Sequence, residues 1–317
     1  MFAIVEKRTW FFLLSALVIV PGLAIMIYST LSTGAPFRLS IDFLGGSIYE
    51  LQFEGAGATE DSLRAVFAAI GDDNIIIQQI GAVQDYRWSV RAGFHDVSVT
   101  NDILARLGEL SPIDRDSFRV ETVSATIGQE VTRSALAAVA VAALVITGFI
   151  VIAFRQVPNA IRYGVCAIAA MIHDILVVMG VMSLMGLLLG WEIDALFLTA
   201  VLTVVGFSVQ DSIVVFDRIR ENIPKHLGEP YETIVNRSIW ETIHRSLATQ
   251  LNAFFIMIAI LLFGGETVKQ FIAILFIGLL SGTYSSIFTA VPLLVAWEKG
   301  EMPFISGKFK ADDDDLG

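Results

Sequence analysis

The stretch FLTAVLTVVGFSVQDSIVVFDRIREN, residues 197–222, is apolar enough to cross a bilayer, yet it sets Gln210 and Asp211 inside the run. On insertion scales an Asp at the centre of a spanning helix costs about 2.5–3.5 kcal/mol, and such groups face a bundle interior or a water-filled path. Asp211 precedes Asp217 by six residues, which places it about 9 Å deeper along a helix. The run therefore predicts a helical membrane protein whose work passes through Asp211. A purely structural carboxylate, fixed by interhelical hydrogen bonds, is the alternative. Asp217, Arg218 and Arg220 read first as the charged end of the helix at the membrane surface.

The rest of the chain agrees with a membrane setting. Hydrophobic residues make up 55% of 317 positions and charged residues 17%, a balance that soluble domains do not carry. A net charge of -11 has the wrong sign for a nucleic-acid surface. The single cysteine, Cys166, excludes an intramolecular disulfide and any cysteine-based metal site. No G-x-x-x-x-G-K-[ST] sequence is present, so ATP is not this chain's energy source. The chain is read as no enzyme, with no cofactor and no metal.

Six apolar runs have spanning length: residues 10–28, 134–154, 163–189, 195–216, 247–263 and 271–297. Lys7, Arg8, Arg155, Arg162, Arg218, Arg220, Lys225, Arg237, Arg245, Lys299, Lys308 and Lys310 fall on one side of these runs, and the opposite short loops hold only Lys269. The positive-inside rule then makes both termini cytoplasmic. The expected organisation is residues 1–28 as cytoplasmic N-terminus and first helix, 29–133 as an extracytoplasmic head, 134–297 as helices two to six, and 298–317 as a cytoplasmic acidic tail ending in ADDDDLG.

Within the head, SIYELQFEG, NIIIQQIG, YRWSVRAG and SFRVETVSA read as strands, and TEDSLRAVFAAIG and VSVTNDILARLGEL as helices. The order β-α-β-β-α-β predicts a ferredoxin-like α+β sandwich. Between Gly34 and Arg133 there are fifteen Asp or Glu, eight Arg and no Lys, so the head is acidic. His95 reads as a loop residue. At the head's attachment, IDFLGG holds Asp42, Gly45 and Gly46, the glycines permitting a sharp bend or close backbone contact, or a hinge that passes helix motion to the head.

Two further polar sets lie in the spans. His173 and Asp174 sit near mid-membrane, either as a proton relay or as one buried hydrogen-bonded pair. In NRSIWETIHRSLATQLNAFF, Asn236, Thr242, Arg245, Thr249 and Asn252 recur at spacings of 6, 3, 4 and 3, so the last four can share a face. Arg245 is either an ion partner for Asp211 or a side chain snorkelling to lipid.

IDFLGG at 41–46, HD at 173–174, SVQDSIVVFDRIREN at 208–222 and NRSIWETIHRSLATQ at 236–250 together resemble the SecF type of the SecD/SecF family, within the resistance-nodulation-division superfamily. The resemblance extends over almost the whole chain. It implies six transmembrane helices with a head between the first two, a homologous SecD-like partner around a pseudo-twofold axis, and residence in the inner membrane. It also implies use of the proton-motive force to assist late translocation of unfolded preprotein through the Sec channel. By position, the family's proton-linked Asp falls on Asp211 and its conserved Arg on Arg245. Two other readings stand beside it: a half-size proton-driven exporter of small molecules or lipids, and a membrane scaffold that transports nothing.

Overall fold

Long apolar runs give long helices, the first continuing through Pro21, and the turn chemistry of the intervening segment gives a small sheet. The computed structural model describes residues 4–73, 75–114, 117–154 and 160–301. Asn74, Arg155, Lys308, Lys310 and the acidic tail lie outside the described residues. In chain order the elements are α1 (Arg8–Thr33), a one-turn α2 (Ile41–Leu44), β1 (Gly46–Gln52), α3 (Glu60–Ala68), β2 (Ile76–Ile80), β3 (Arg87–Ala92), α4 (Val97–Leu110) and β4 (Arg119–Val123). They continue with α5 (Ala125–Ala153), α6 (Ala160–Leu189), α7 (Ala195–Asn222), α8 (Tyr231–Phe263), α9 (Glu266–Ser285), a π-helical turn (Ser286–Ala290) and α10 (Val291–Glu298). The described residues divide into two compact units, one of Leu39–Ala137 and the other built from the chain on either side of it.

The unit Leu39–Ala137 is an antiparallel sheet in the order β2-β3-β1-β4, with Tyr49 opposite Val90 on one side and Val120 on the other. This is the split β-α-β-β-α-β arrangement that the sequence pattern predicts. Alternation on β1 turns Tyr49 and Leu51 inward, where they meet Leu63 and Phe67 of α3 and Ile103 and Leu107 of α4. Full burial of such a side chain contributes about 1.5–3 kcal/mol. Thr59 caps α3 and Asp96 caps α4 by accepting the Val99 backbone N–H at 2.9 Å. His95 does lie in a loop, but it is buried against the core, bonding the Tyr49 hydroxyl at 2.9 Å through Nδ1.

Among the described residues, six helical stretches, between 29 and 33 residues long, are long and apolar enough to span a membrane. They exceed the apolar runs because polar turns extend them: α1 carries on to Thr33, which takes Ser29–Thr33 into helix, and α8 begins sixteen residues before Leu247. The last span combines α9, the π turn and α10. Pro292, just past the π turn, lacks the N–H that a regular α-helix would use there.

Small residues allow close helix crossings. A Cβ on Gly180 of α6 would come 2.9 Å from the Gly22 Cα of α1, and one on Gly282 of α9 would come 3.3 Å from the Ser208 Cβ of α7. Nearby, Phe154, Tyr163 and Phe216 form a buried aromatic cluster, Tyr163 meeting Phe216 edge-on at 5.3 Å between ring centres.

The glycine pair of IDFLGG is more constrained than a free hinge. Gly45 has φ +76°, and a Cβ there would lie 2.7 Å from the Ala125 backbone at the start of α5. Gly46 has φ +131°, and its Cβ would lie 2.8 Å from the Ala92 carbonyl of β3. Both positions thus need glycine for conformation and for close backbone approach. Ser40 caps the preceding turn by accepting the Asp42 N–H.

Candidate functional site: two buried carboxylates

Asp211 lies on the inward stripe of α7 and is 7% exposed. Gln250 of α8 donates Nε2–H to Asp211 Oδ2 at 2.7 Å. The expectation that Arg245 pairs with Asp211 is therefore corrected: Arg245 is exposed and forms no ion pair among the described residues. The roll of α8 explains this. Ile239, Thr242, Ser246 and Gln250 turn inward, whereas Arg245, Thr249 and Asn252 occupy the adjoining exposed arc. The face expected to be shared by Thr242, Arg245, Thr249 and Asn252 is consequently split, with Thr242 alone buried.

Asp174 is fully buried and collects donors from three other positions. Its Oδ2 accepts Ser208 Oγ–H at 2.5 Å and Ser285 Oγ–H at 2.7 Å, and its Oδ1 accepts Ser281 Oγ–H at 2.6 Å. The His173 Nδ1 lies 3.0 Å from Oδ1. Such a set of donors stabilises an ionised carboxylate in a low-dielectric interior. Ser281 and Ser285 are one helical turn apart on α9, and Ser208 lies one turn before Asp211 on α7. The sequence reading missed these serines. The signal available in the sequence was the S-x-x-x-S spacing of Ser281 and Ser285 within an apolar run.

On the other side of the ring, His173 Nε2 stands 3.1 Å from Ser15 Oγ of α1. Ser15, His173 and Asp174 thus lie in the order of a nucleophile, a base and its orienting acid. A hydrolase also needs free donors for a developing oxyanion, and Ser15 and His173 both lie in helix interiors, where the backbone N–H groups serve the helix. A cavity of about 350 Å³ adjoins them, lined by Leu14, Val18, His173, Val177, Leu280 and Tyr284 among others. The grouping is a hydrogen-bonded chain across α1, α6, α7 and α9.

The remaining expected residues serve the helix ends. Asn236 Oδ1 accepts the backbone N–H groups of Ile4 and Val5 at 3.0 and 3.1 Å, fixing the N-terminal turn to α8. Asp217 pairs with Arg220 at 2.8 Å, and Arg218 pairs with Glu221 and Glu241. Thr242 and Thr249 return their hydroxyls to α8 carbonyls. No group of three or more His, Cys, Asp or Glu side chains able to hold a metal occurs among the described residues.

Six apolar helices, a four-stranded split sandwich and two buried carboxylates on neighbouring helices define a multi-pass membrane protein with a polar seam inside its bundle. A family model described as protein export membrane protein SecD/SecF, C-terminal, matches residues 103–300, and one described as the SecD/SecF GG motif matches residues 30–56. The protein translocase subunit SecF of Anaerolinea thermophila is 45% identical over 95% of this chain and 96% of its own length. That of Thermobaculum terrenum is 41% identical over 94% of each chain. A crystal structure of SecDF, a translocon-associated membrane protein from Thermus thermophilus, matches with a TM-score of 0.74 at 30% identity, covering 94% of this chain. This chain spans 39% of that SecDF chain. The chain belongs to the SecD/SecF family, on its SecF side, and is a membrane subunit of the protein-translocation pathway.

Proposed function

We propose that the chain converts the proton-motive force into assistance for late preprotein translocation, and that Asp211 is the group that takes up and releases the proton. The observation that carries this reading is the state of Asp211. It is buried within a spanning helix, it has no cationic partner among the described residues, and one amide holds it. A carboxylate held this way can accept a proton without first breaking a salt bridge. Asp174, ringed by donors, is suited to hold α6, α7 and α9 together, with His173 linking it to α1.

One proton descending about 100 mV releases about 2.3 kcal/mol, enough to bias a two-state rearrangement and too little to drive a large one in a single step. The work is accordingly done in repeated cycles. A SecD-like homologous subunit completes the assembly. A fused form supports this: the Bacillus subtilis protein translocase subunit SecDF is 30% identical over 94% of this chain, which covers 38% of it. The exposed Arg245, Thr249 and Asn252 stripe supports the same reading, since a charged stripe on a spanning helix faces protein or water rather than lipid.

In this account both termini are cytoplasmic and the α+β unit is the extracytoplasmic head. The Sec channel and unfolded preprotein are the further partners, the preprotein meeting the exposed sheet edges β2 and β4 by strand addition. The reading is tested with membrane vesicles containing the chain and its SecD-like partner, scoring completion of a preprotein arrested late in translocation. Completion should depend on the imposed proton gradient and stop when an ionophore collapses it. Completion unaffected by the ionophore would overturn the proposal.

A further inference from the structure

Gln250 is 2% exposed, and its two amide atoms are treated unequally. Nε2 donates to Asp211, while Oε1 is buried with no hydrogen-bond partner among the described residues. A buried acceptor left unpaired is penalised, and native structures seldom keep one without a reason. Here the unpaired atom belongs to the one side chain that, among the described residues, bonds Asp211.

The chemistry of an amide facing a carboxyl group supplies the reason. An ionised carboxylate offers only acceptors, so it takes one N–H and leaves the amide oxygen idle. A protonated carboxyl adds an O–H donor. The two heteroatoms of an amide and of a carboxyl are spaced alike, so the protonated pair can close a ring, Nε2–H to Oδ2 and Oδ1–H to Oε1. Asp211 gains one proton on Oδ1, its Cγ–Oδ1 bond becomes single and its Cγ–Oδ2 bond double, and the idle oxygen is satisfied.

We infer that Gln250 is a positioning residue that registers the proton on Asp211, the α7–α8 contact having one hydrogen bond when the carboxyl is ionised and two when it is protonated. The inference rests on the reading of Asp211 as the proton carrier. The surroundings leave the amide in charge of this contact. On α6, His173 and Asp174 are engaged with Ser15, Ser208, Ser281 and Ser285. On α8, Arg245 lies on the exposed arc, and on α9 the Tyr284 hydroxyl donates to the Phe11 carbonyl. Uptake of a proton would then draw α8 toward α7 through a neutral contact, a local change that leaves the serine cage of Asp174 intact.

Infrared difference spectroscopy of the purified full chain in lipid nanodiscs, titrated from alkaline to acid pH, tests this. The carboxylic C=O band that Asp211→Asn abolishes belongs to protonated Asp211. In the wild type this band should lie at the lowered frequency of a carbonyl that accepts a hydrogen bond, and Gln250→Leu should move it up to that of a free carboxyl. As a check that needs no change at position 250, glutamine labelled with 13C at the side-chain carbonyl should show an amide band falling on acidification in the wild type and not in Asp211→Asn. A carboxyl band at one frequency in wild type and Gln250→Leu, or a glutamine band indifferent to pH, would overturn the role of Gln250 while leaving Asp211 as the carrier. Absence of any carboxyl band removed by Asp211→Asn would overturn both.

Discussion

The Ser208 hydroxyl of α7 stands 2.5 Å from Oδ2 of Asp174 on α6, one helical turn from Asp211 on its own helix. Helix α7 therefore joins both buried carboxylates, holding one and carrying the other. Hydrogen bonds to a charged acceptor are worth about 1.5–3 kcal/mol each. Ser208→Ala and Ser281→Ala should each destabilise the purified protein by about that much, and Asp174→Ala by more, since it leaves three buried hydroxyls without their acceptor. Unfolding in detergent would measure this. Unchanged stability in all three variants would remove the structural role assigned to the serine cage.

Gly46→Val should destabilise the α+β unit itself. The sequence allowed a sharp bend, close backbone contact or a hinge that passes helix motion to the head, and a hinge alone would leave the head folded in this variant. Positive φ and the Ala92 carbonyl, 2.8 Å from where a Cβ would stand, reverse this expectation. Strained backbone of this kind costs about 1–3 kcal/mol. Hydrogen exchange at β1 and β3 amides in the full chain should accelerate, whereas Gly34→Ala, with φ +85° but open space around it, should leave those amides protected. Unaltered protection in Gly46→Val would contradict the packing argument.

Arg245→Lys should impair gradient-dependent translocation even though Arg245 has no ion partner among the described residues. On the exposed arc its planar guanidinium is available to a partner subunit, and an ammonium cannot reproduce that fork. If the side chain merely snorkels to lipid headgroups, lysine serves as well. Equal translocation by the two proteins would decide for lipid.

The Asp96 cap adds a pH dependence to the head. The Val99 backbone N–H, and next the Ser98 hydroxyl, hold its carboxyl below the usual carboxylate range. A depressed folded-state pKa gives stabilisation that is present above the unfolded value and is lost as pH falls through the folded value. In Asp96→Asn, which still caps but cannot ionise, that contribution should vanish. Amide exchange in α4 should therefore differ between the two proteins near neutral pH and converge in acid. A constant difference at all pH values would show that ionisation of Asp96 is irrelevant.

The architecture was legible because its signals are local. Apolar length marks the spans, Thr59 marks a helix start, and alternation at Ser47, Tyr49 and Leu51 marks the inward face of β1. Pairing across helices was not legible to the same degree. Arg245 and Gln250 are five residues apart on α8, and only the roll of that helix decides which of them meets Asp211. A charged residue drew attention by its cost in a membrane, whereas Gln250, Ser208, Ser281 and Ser285 are ordinary in a spanning helix until their common acceptor is known. At the glycines the sequence left a sharp bend, close backbone contact and a hinge side by side, and only the positions of Ala125 and Ala92 show that close contact holds at both.

The central claim is that Asp211 carries the proton, and the most direct measurement is gradient-dependent export by Asp211→Asn in inverted membrane vesicles. Asparagine keeps the shape and can still accept the Gln250 N–H through its amide oxygen, but it cannot ionise. The variant should be inserted, folded and bound to its SecD-like partner in normal amounts, while the part of export that an imposed proton gradient stimulates is lost. Export stimulated by the gradient to the same extent in Asp211→Asn and wild type would contradict the account.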